Sequence, residues 1–154
     1  MEGAVKQTVF SLKYRGVRAA APELGRLLAQ YMAEHAVQGG VIVPVPLHRR
    51  RHRARGYNQS ALLARELSKL TALPQANNLL TRFKDAPPQV EAASRSLRRT
   101  NVDRSFQAAS DVSGLKVLLI DDVITTGTTM SACAAALKAA GAASVWGMAL
   151  AREG

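Results

Sequence analysis

Residues 117–129 read VLLIDDVITTGTT. The four-residue apolar run Val117-Leu118-Leu119-Ile120 suits a strand at the centre of a parallel sheet, covered on both faces. Such a strand delivers Asp121 and Asp122 to its carboxyl end, where open α/β sheets bind ligands. Two adjacent carboxylates are strong acceptors, suited to the vicinal hydroxyls of a sugar or to a magnesium ion. Thr125-Thr126-Gly127-Thr128-Thr129 then turns into a helix N-terminus, offering N–H groups, small hydroxyls and a positive dipole end to a phosphate. Each dipole–anion contact is worth only ~0.3–2 kcal/mol, so several N–H groups must converge on one phosphate. Sugar hydroxyls beside a phosphate describe a ribose 5-phosphate. A Walker A loop needs lysine after its glycine, whereas Thr128 follows Gly127, and a dinucleotide fingerprint needs three spaced glycines where one is present. The remaining alternative is an acidic strand end beside a Thr-rich helix cap, which does not demand all these residues together.

Upstream, the spacing from Pro22 predicts a helix with Leu24, Leu27, Leu28, Tyr31 and Met32 on one face, ended by Gly39-Gly40. Val41 to Pro46 reads as a buried strand that stops at its prolines. An arginine-rich loop, His48 to Gly56, leads to a helix opened by Asn58 or Gln59, with Leu62, Leu63, Leu67 and Leu70 inward and its end before Pro74. Residues 79–83 form a weaker strand candidate, and 84–110 give the poorest local signal, as functional lids or disordered segments do. After a turn at Ser113-Gly114 and the strand 117–120, Ser131 to Ala140 is helical, Gly141 suits a left-handed cap, and Val145 to Leu150 makes a last strand. Strands alternating with helices imply right-handed crossovers and an open, mainly parallel, twisted α/β sheet with flanking helices, in a single domain over 1–154.

The chain has 154 residues, 47% apolar and 21% charged, which excludes wholesale disorder. Its longest apolar runs fall short of the ~20 residues a membrane span needs. Residues 1–15 alternate polar and apolar, unlike a secretory leader, so the expected address is the cytoplasm. A lone cysteine, Cys133, excludes an intramolecular disulfide and a cysteine-based zinc site. The formal net charge is +10, with 15 Arg against 6 Lys. Between Arg49 and Arg104 stand 13 basic and 4 acidic side chains, so this stretch holds nine of the ten surplus charges. Such a field gathers phosphates, on a small molecule or on nucleic acid, and the planar arginine fork suits phosphate oxygens.

Residues 117–129 resemble the thirteen-residue signature of the type I phosphoribosyltransferases, which bind 5-phosphoribosyl 1-diphosphate (PRPP). With KYRG at 13–16, VPVPLHRRRHRARGYNQ at 43–59, the stretch from Gln89 to Asn101 and LAR at 150–152, the chain resembles the ComF family, implicated in natural competence and DNA uptake. By that resemblance, Asp121 and Asp122 contact the ribose hydroxyls, and Thr125 to Thr129 cradle the 5-phosphate; by sequence position alone, Asp122 is the nearest candidate for a base. The turn after Pro46 is then the pyrophosphate loop, drawing on Arg49, Arg50, Arg51, Arg53 and Arg55. Arg98 and Asn101 fall in the flexible hood, 84–110, that closes over the reacting centre. The implied cofactor is Mg²⁺, held chiefly by PRPP rather than by a dedicated protein cage. Two departures stand out: the cysteine-rich zinc element that often precedes this domain is not expected here, and Ala86 replaces a threonine ahead of Gln89.

The leading expectation is a Mg-dependent transferase of nucleotide metabolism that moves phosphoribosyl from PRPP to an unidentified acceptor and releases pyrophosphate. Two others keep the fold: a competence accessory that binds single-stranded DNA through its arginines, and a PRPP-sensing regulator. A homodimer is the default for such folds. His48 and His52 lie four apart in a loop without an intervening glutamate, a weak metal signal. Cys133 and Trp146 read as core residues, Phe10 and Tyr14 as core rather than base-stacking, and Tyr57 alone is no single-strand platform.

Overall fold

The computed structural model describes residues 18–47, 53, 54, 56–83 and 105–152. In chain order its elements are α1 (Ala21–Glu34), β1 (Val41–Pro44), α2 (Gln59–Thr71), β2 (Leu80–Arg82), β3 (Phe106–Ala108), β4 (Lys116–Ile124), α3 (Thr128–Ala139) and β5 (Ser144–Arg152). Val117 to Ile120 are all 0% exposed because β4 is the middle strand of a parallel sheet ordered β1-β4-β5. Alternation sends Val117 and Leu119 to one face, against Ala132, Cys133 and Leu137 of α3. Leu118 and Ile120 turn to the other, against Leu24 and Leu28 of α1 and Leu63 and Leu67 of α2. This is the expected open α/β sheet with helices on both faces. Ile42 extends it by a parallel bridge to Gln75, on the edge of β1 away from β4.

Local chemistry fixes the helix ends. The Asn58 side chain accepts from Ser60 N–H at 3.0 Å and donates from Nδ2 to Val45 O at 3.0 Å, tying the start of α2 to the end of β1. At the end of α3, Gly141 has φ +98°; its N–H bonds Lys138 O, and Ala142 N–H bonds Leu137 O. That pair of bonds is the left-handed cap read from the sequence. Gly25 is a close-approach glycine: a Cβ there would stand 2.6 Å from Glu66 Cβ, so α1 can lie this near α2 only without a side chain.

Several expectations need correction. The buried stripe of α1 is Ala21, Leu24, Gly25 and Leu28, which leaves Leu27 47% and Tyr31 51% exposed. Contact with α2 through Gly25 rotates the helix away from the face its leucines suggest. On α2, Leu63 and Leu67 are buried as expected, but Leu62 is only half-buried and Leu70 is exposed. Trp146 is 44% exposed rather than core, on β5, an edge strand among the described residues. Helix α1 stops at Glu34, ahead of Gly39-Gly40, where Val37 N–H turns back to Met32 O. Strand β4 continues to Ile124, and α3 begins at Thr128 rather than Ser131. Finally, β3 emerges from the weak 84–110 stretch and pairs antiparallel with β2, Arg82 opposite Phe106.

Candidate functional site

The acidic pair lies within the carboxyl half of β4, not in the loop after it. Asp121 Oδ1 accepts two hydrogen bonds at 2.9 Å, one from Ser60 Oγ on α2 and one from the Asp122 backbone N–H. Asp122 Oδ1 accepts from Val123 N–H at 2.9 Å. Burial pushes the Asp121 carboxyl up to about 6, and the neighbouring Asp122 carboxylate adds to the rise; the two bonds to Oδ1 oppose it. Asp121 is thus a carboxylate held in a fixed direction near the edge of its ionised range. Its side chain and that of Asp122 are half-buried, open enough to meet a ligand.

Beyond the acids the chain turns at Gly127, whose φ of +79° makes it the left-handed N-cap of α3. No side chain caps this helix, and its first intrahelical bond runs from Ser131 N–H to Gly127 O. Thr126 Oγ1 and Thr128 Oγ1 lie 2.8 Å apart, with Thr128 N–H only weakly engaged at 3.4 Å. Thr125, Thr126 and Thr128 are exposed and Thr129 is half-buried. Carboxylate acceptors therefore lead, over a few residues, into a helix N-terminus with donors to spare. That juxtaposition can hold a polyol at one end and an anion at the other.

Ser60 is the residue sequence reasoning missed. Its signal is faint: a small hydroxyl in the first turn of α2, spaced four and seven residues from Ala64 and Leu67, both buried. Its neighbour Gln59 is 2% exposed, and its Nε2 makes no hydrogen bond. Of the pyrophosphate-loop arginines only Arg53 is described; it is exposed and shares a cavity wall with Arg82. Arg49, Arg50, Arg51, Arg55, Arg98 and Asn101 lie outside the described residues, as do His48, His52, Phe10 and Tyr14. Cys133 is fully buried, with its thiol pushed up to about 12 by burial and by the charge of Asp121, so it packs as a core residue. Among the described residues no three His, Cys, Asp or Glu side chains gather to cage a metal, and no helix is long and apolar enough to cross a membrane.

Residues 55–153 match the model of the phosphoribosyl transferase domain. The chain is 35% identical over 142 residues to the DNA utilization protein YhgH of Salmonella typhi, covering 89% of this chain and 62% of that protein. It is 37% identical over 113 residues to competence protein F of Haemophilus influenzae, covering 70% of this chain and 49% of the relative. It therefore spans between about half and two thirds of the length of these curated relatives. Among solved structures, the glutamine PRPP amidotransferase of B. subtilis, complexed with ADP and GMP, superposes with a TM-score of 0.62 at 27% identity. That match covers 87% of this chain and 26% of the amidotransferase.

Proposed function

Because the chain belongs to the phosphoribosyl transferase domain family, we propose that it binds PRPP at residues 121–129 and transfers the phosphoribosyl group to an acceptor, releasing pyrophosphate. One observation carries the reading: Asp121, oriented by Ser60 and the Asp122 N–H, leads directly into the uncapped start of α3. In this scheme Asp121 and Asp122 accept from the two ribose hydroxyls. Thr125 to Thr129 supply hydroxyls and N–H groups to the 5-phosphate, with Gly127 giving the turn its hand. The arginines of the pyrophosphate loop, Arg49, Arg50, Arg51, Arg53 and Arg55, donate to the diphosphate. Arg98 and Asn101, outside the described residues, are assigned by the family resemblance to the substrate side of this scheme.

The C1–oxygen bond breaks with its electron pair leaving on pyrophosphate, and a lone pair of the acceptor forms the new bond to C1. The chain's part is to position the sugar and to meet the charge growing on the leaving group, worth roughly 3–4 kcal/mol per well-aimed donor. Asp121 and Asp122 are hard oxygen donors that would help hold Mg²⁺ beside the diphosphate, where the ion would supply charge neutralisation. Asp122 is the candidate to take a proton from the acceptor.

Calorimetric titration of PRPP, with and without Mg²⁺, tests binding. Pyrophosphate release across purines, pyrimidines and other amines tests transfer. Binding without turnover on any acceptor would leave the fold as a ligand-sensing module and end the transferase reading. The relatives named for DNA utilization and competence, with the basic surplus of 49–104, support a role in DNA uptake.

A further inference from the structure

The loop after β1 leaves the core at Val45 and returns at Asn58, the cap of α2. Four hydrogen bonds join the two ends of that loop to the acidic strand. Asn58 Nδ2 donates to Val45 O at 3.0 Å, and Asn58 Oδ1 accepts from Ser60 N–H at 3.0 Å. Ser60 Oγ donates to Asp121 Oδ1 at 2.9 Å. Val45 N–H donates to Ile120 O at 2.9 Å, the carbonyl directly before that acid. The bonds close a ring, from Val45 through Asn58 and Ser60 to Asp121 and back through Ile120. Its members come from the end of β1, the start of α2 and the middle of β4. The helix side of the ring is firm, since Gln59 and Ser60 are buried and α2 stands on the fully buried Leu63, Ala64 and Leu67.

Capping explains only part of this ring. A helix cap needs one side-chain acceptor, which serine supplies as well as asparagine, so the Nδ2 bond to Val45 O is surplus to α2. The Ser60 hydroxyl likewise satisfies no helix group. These two surplus bonds point to opposite halves of the PRPP site. One fixes the residue before Pro46, where the diphosphate turn begins, and the other fixes an acid assigned to the ribose hydroxyls. We propose, on the PRPP reading, that Asn58 and Ser60 are positioning residues that couple the two halves, so that filling the turn after Pro46 tightens the hold of residues 121–129 on a sugar phosphate. Asn58 acts through Val45, and Ser60 through Asp121. A ligand in the turn fixes its neck at Val45 and Asn58, which fixes Ser60 and the direction in which Asp121 presents its oxygens. That ordering is done once, and the second ligand binds at a lower entropic cost. By linkage, a sugar phosphate tightens the turn's hold on pyrophosphate by the same factor.

The test uses the full chain, with Mg²⁺ present throughout, and titrates ribose 5-phosphate by calorimetry with and without saturating pyrophosphate. In the wild type, pyrophosphate is expected to raise the affinity about tenfold, within the usual range of coupling between sites. Asn58→Ser keeps a cap and gives up the Nδ2 donor, and Ser60→Ala keeps the helix and gives up the hydroxyl. In each, the ratio of the two affinities is expected to fall to about two. The double variant falls no further than either single one, because the bonds act in series. Thermal unfolding checks that each variant folds, and either one alone reads the ratio. A merely structural role weakens ribose 5-phosphate equally in both titrations and leaves the ratio at its wild-type value. That result in Asn58→Ser and Ser60→Ala, or a wild-type ratio of one, overturns the coupling while PRPP binding stands. Failure of ribose 5-phosphate to bind the wild-type chain in either titration overturns it too, and PRPP titrated alongside shows whether the PRPP reading falls with it.

Discussion

The run 117–129 and the arginine-rich stretch from 49 onward contribute opposite kinds of chemistry, and they are built in opposite ways. The first is contiguous: one strand, one turn and one helix start supply two acids, four threonines and a positive-φ glycine in thirteen residues. The second is dispersed. Arg53, Arg65, Asn77 and Arg82 come from a helical stretch ahead of Gly56, a helix, a bridge-flanking segment and a short strand, and line two adjoining cavities because those elements pack beside β1. Local geometry can be written into a motif, whereas a scattered cationic surface shows in the sequence only as net charge.

The sharpest way to break this contrast is to remove the acids. Replacing Asp121 and Asp122 by Asn together should lower PRPP affinity by about 100-fold or more by calorimetry, through loss of two charge-assisted acceptors. Unchanged affinity would move the sugar site elsewhere.

A second test reads the buried carboxyl without ligand. Asp121 binds its proton more readily in the native chain, at about 6, than when unfolded near 3.8. Its stabilising contribution is therefore greatest below pH ~4 and is lost as pH rises through about 6, a swing on the order of 2–3 kcal/mol. In metal-free buffer Asp121→Asn should flatten that part of the pH–stability profile, raising the urea midpoint at pH 7 and not at pH 4.

Gly127→Ala places a Cβ on a residue at φ +79° and should cost about 1–2 kcal/mol of stability, seen in thermal unfolding, with weaker phosphate binding. Ser60→Ala removes one donor from Asp121 and should weaken PRPP binding about fivefold, on the order of 1 kcal/mol. The smallest effect belongs to the dispersed region: Arg65→Ala, whose exposed side chain pairs with Glu66 at 3.3 Å, should change stability by less than ~0.5 kcal/mol.

The centre of the fold was legible because Val117 to Ile120, a short run after a Ser-Gly turn, suits a strand covered on both sides, and the acids follow it directly. The caps were legible too, since Asn58 and Gly141 act through their own chemistry. The facing of α1 was not. Leucine spacing named one face, Leu24, Leu27, Leu28, Tyr31 and Met32, and Gly25 against Glu66, a contact across 41 residues of chain, turned the helix away from it. Trp146 lies on β5, an edge strand among the described residues, and that place is a property of topology rather than of residues 144–152. Ser60 lies 61 positions from its acid, beyond the reach of any local pattern. Strand β3 is three residues long, with Phe106 as its one buried side chain, too little for a periodic signal.

The greasy layers on either side of β4 have a consequence for how the chain finds its alignment. Since Val117 to Ile120 would be equally content with either layer, oiliness alone cannot tell the correct offset from one slipped by a single position. Sliding one way drags Lys116 into the sealed interior, and sliding the other drags Asp121 in and tears it from Ser60. Two charged residues, Lys116 on the amino side and Asp121 on the carboxyl side, thus bracket the oily run and confine it to one frame.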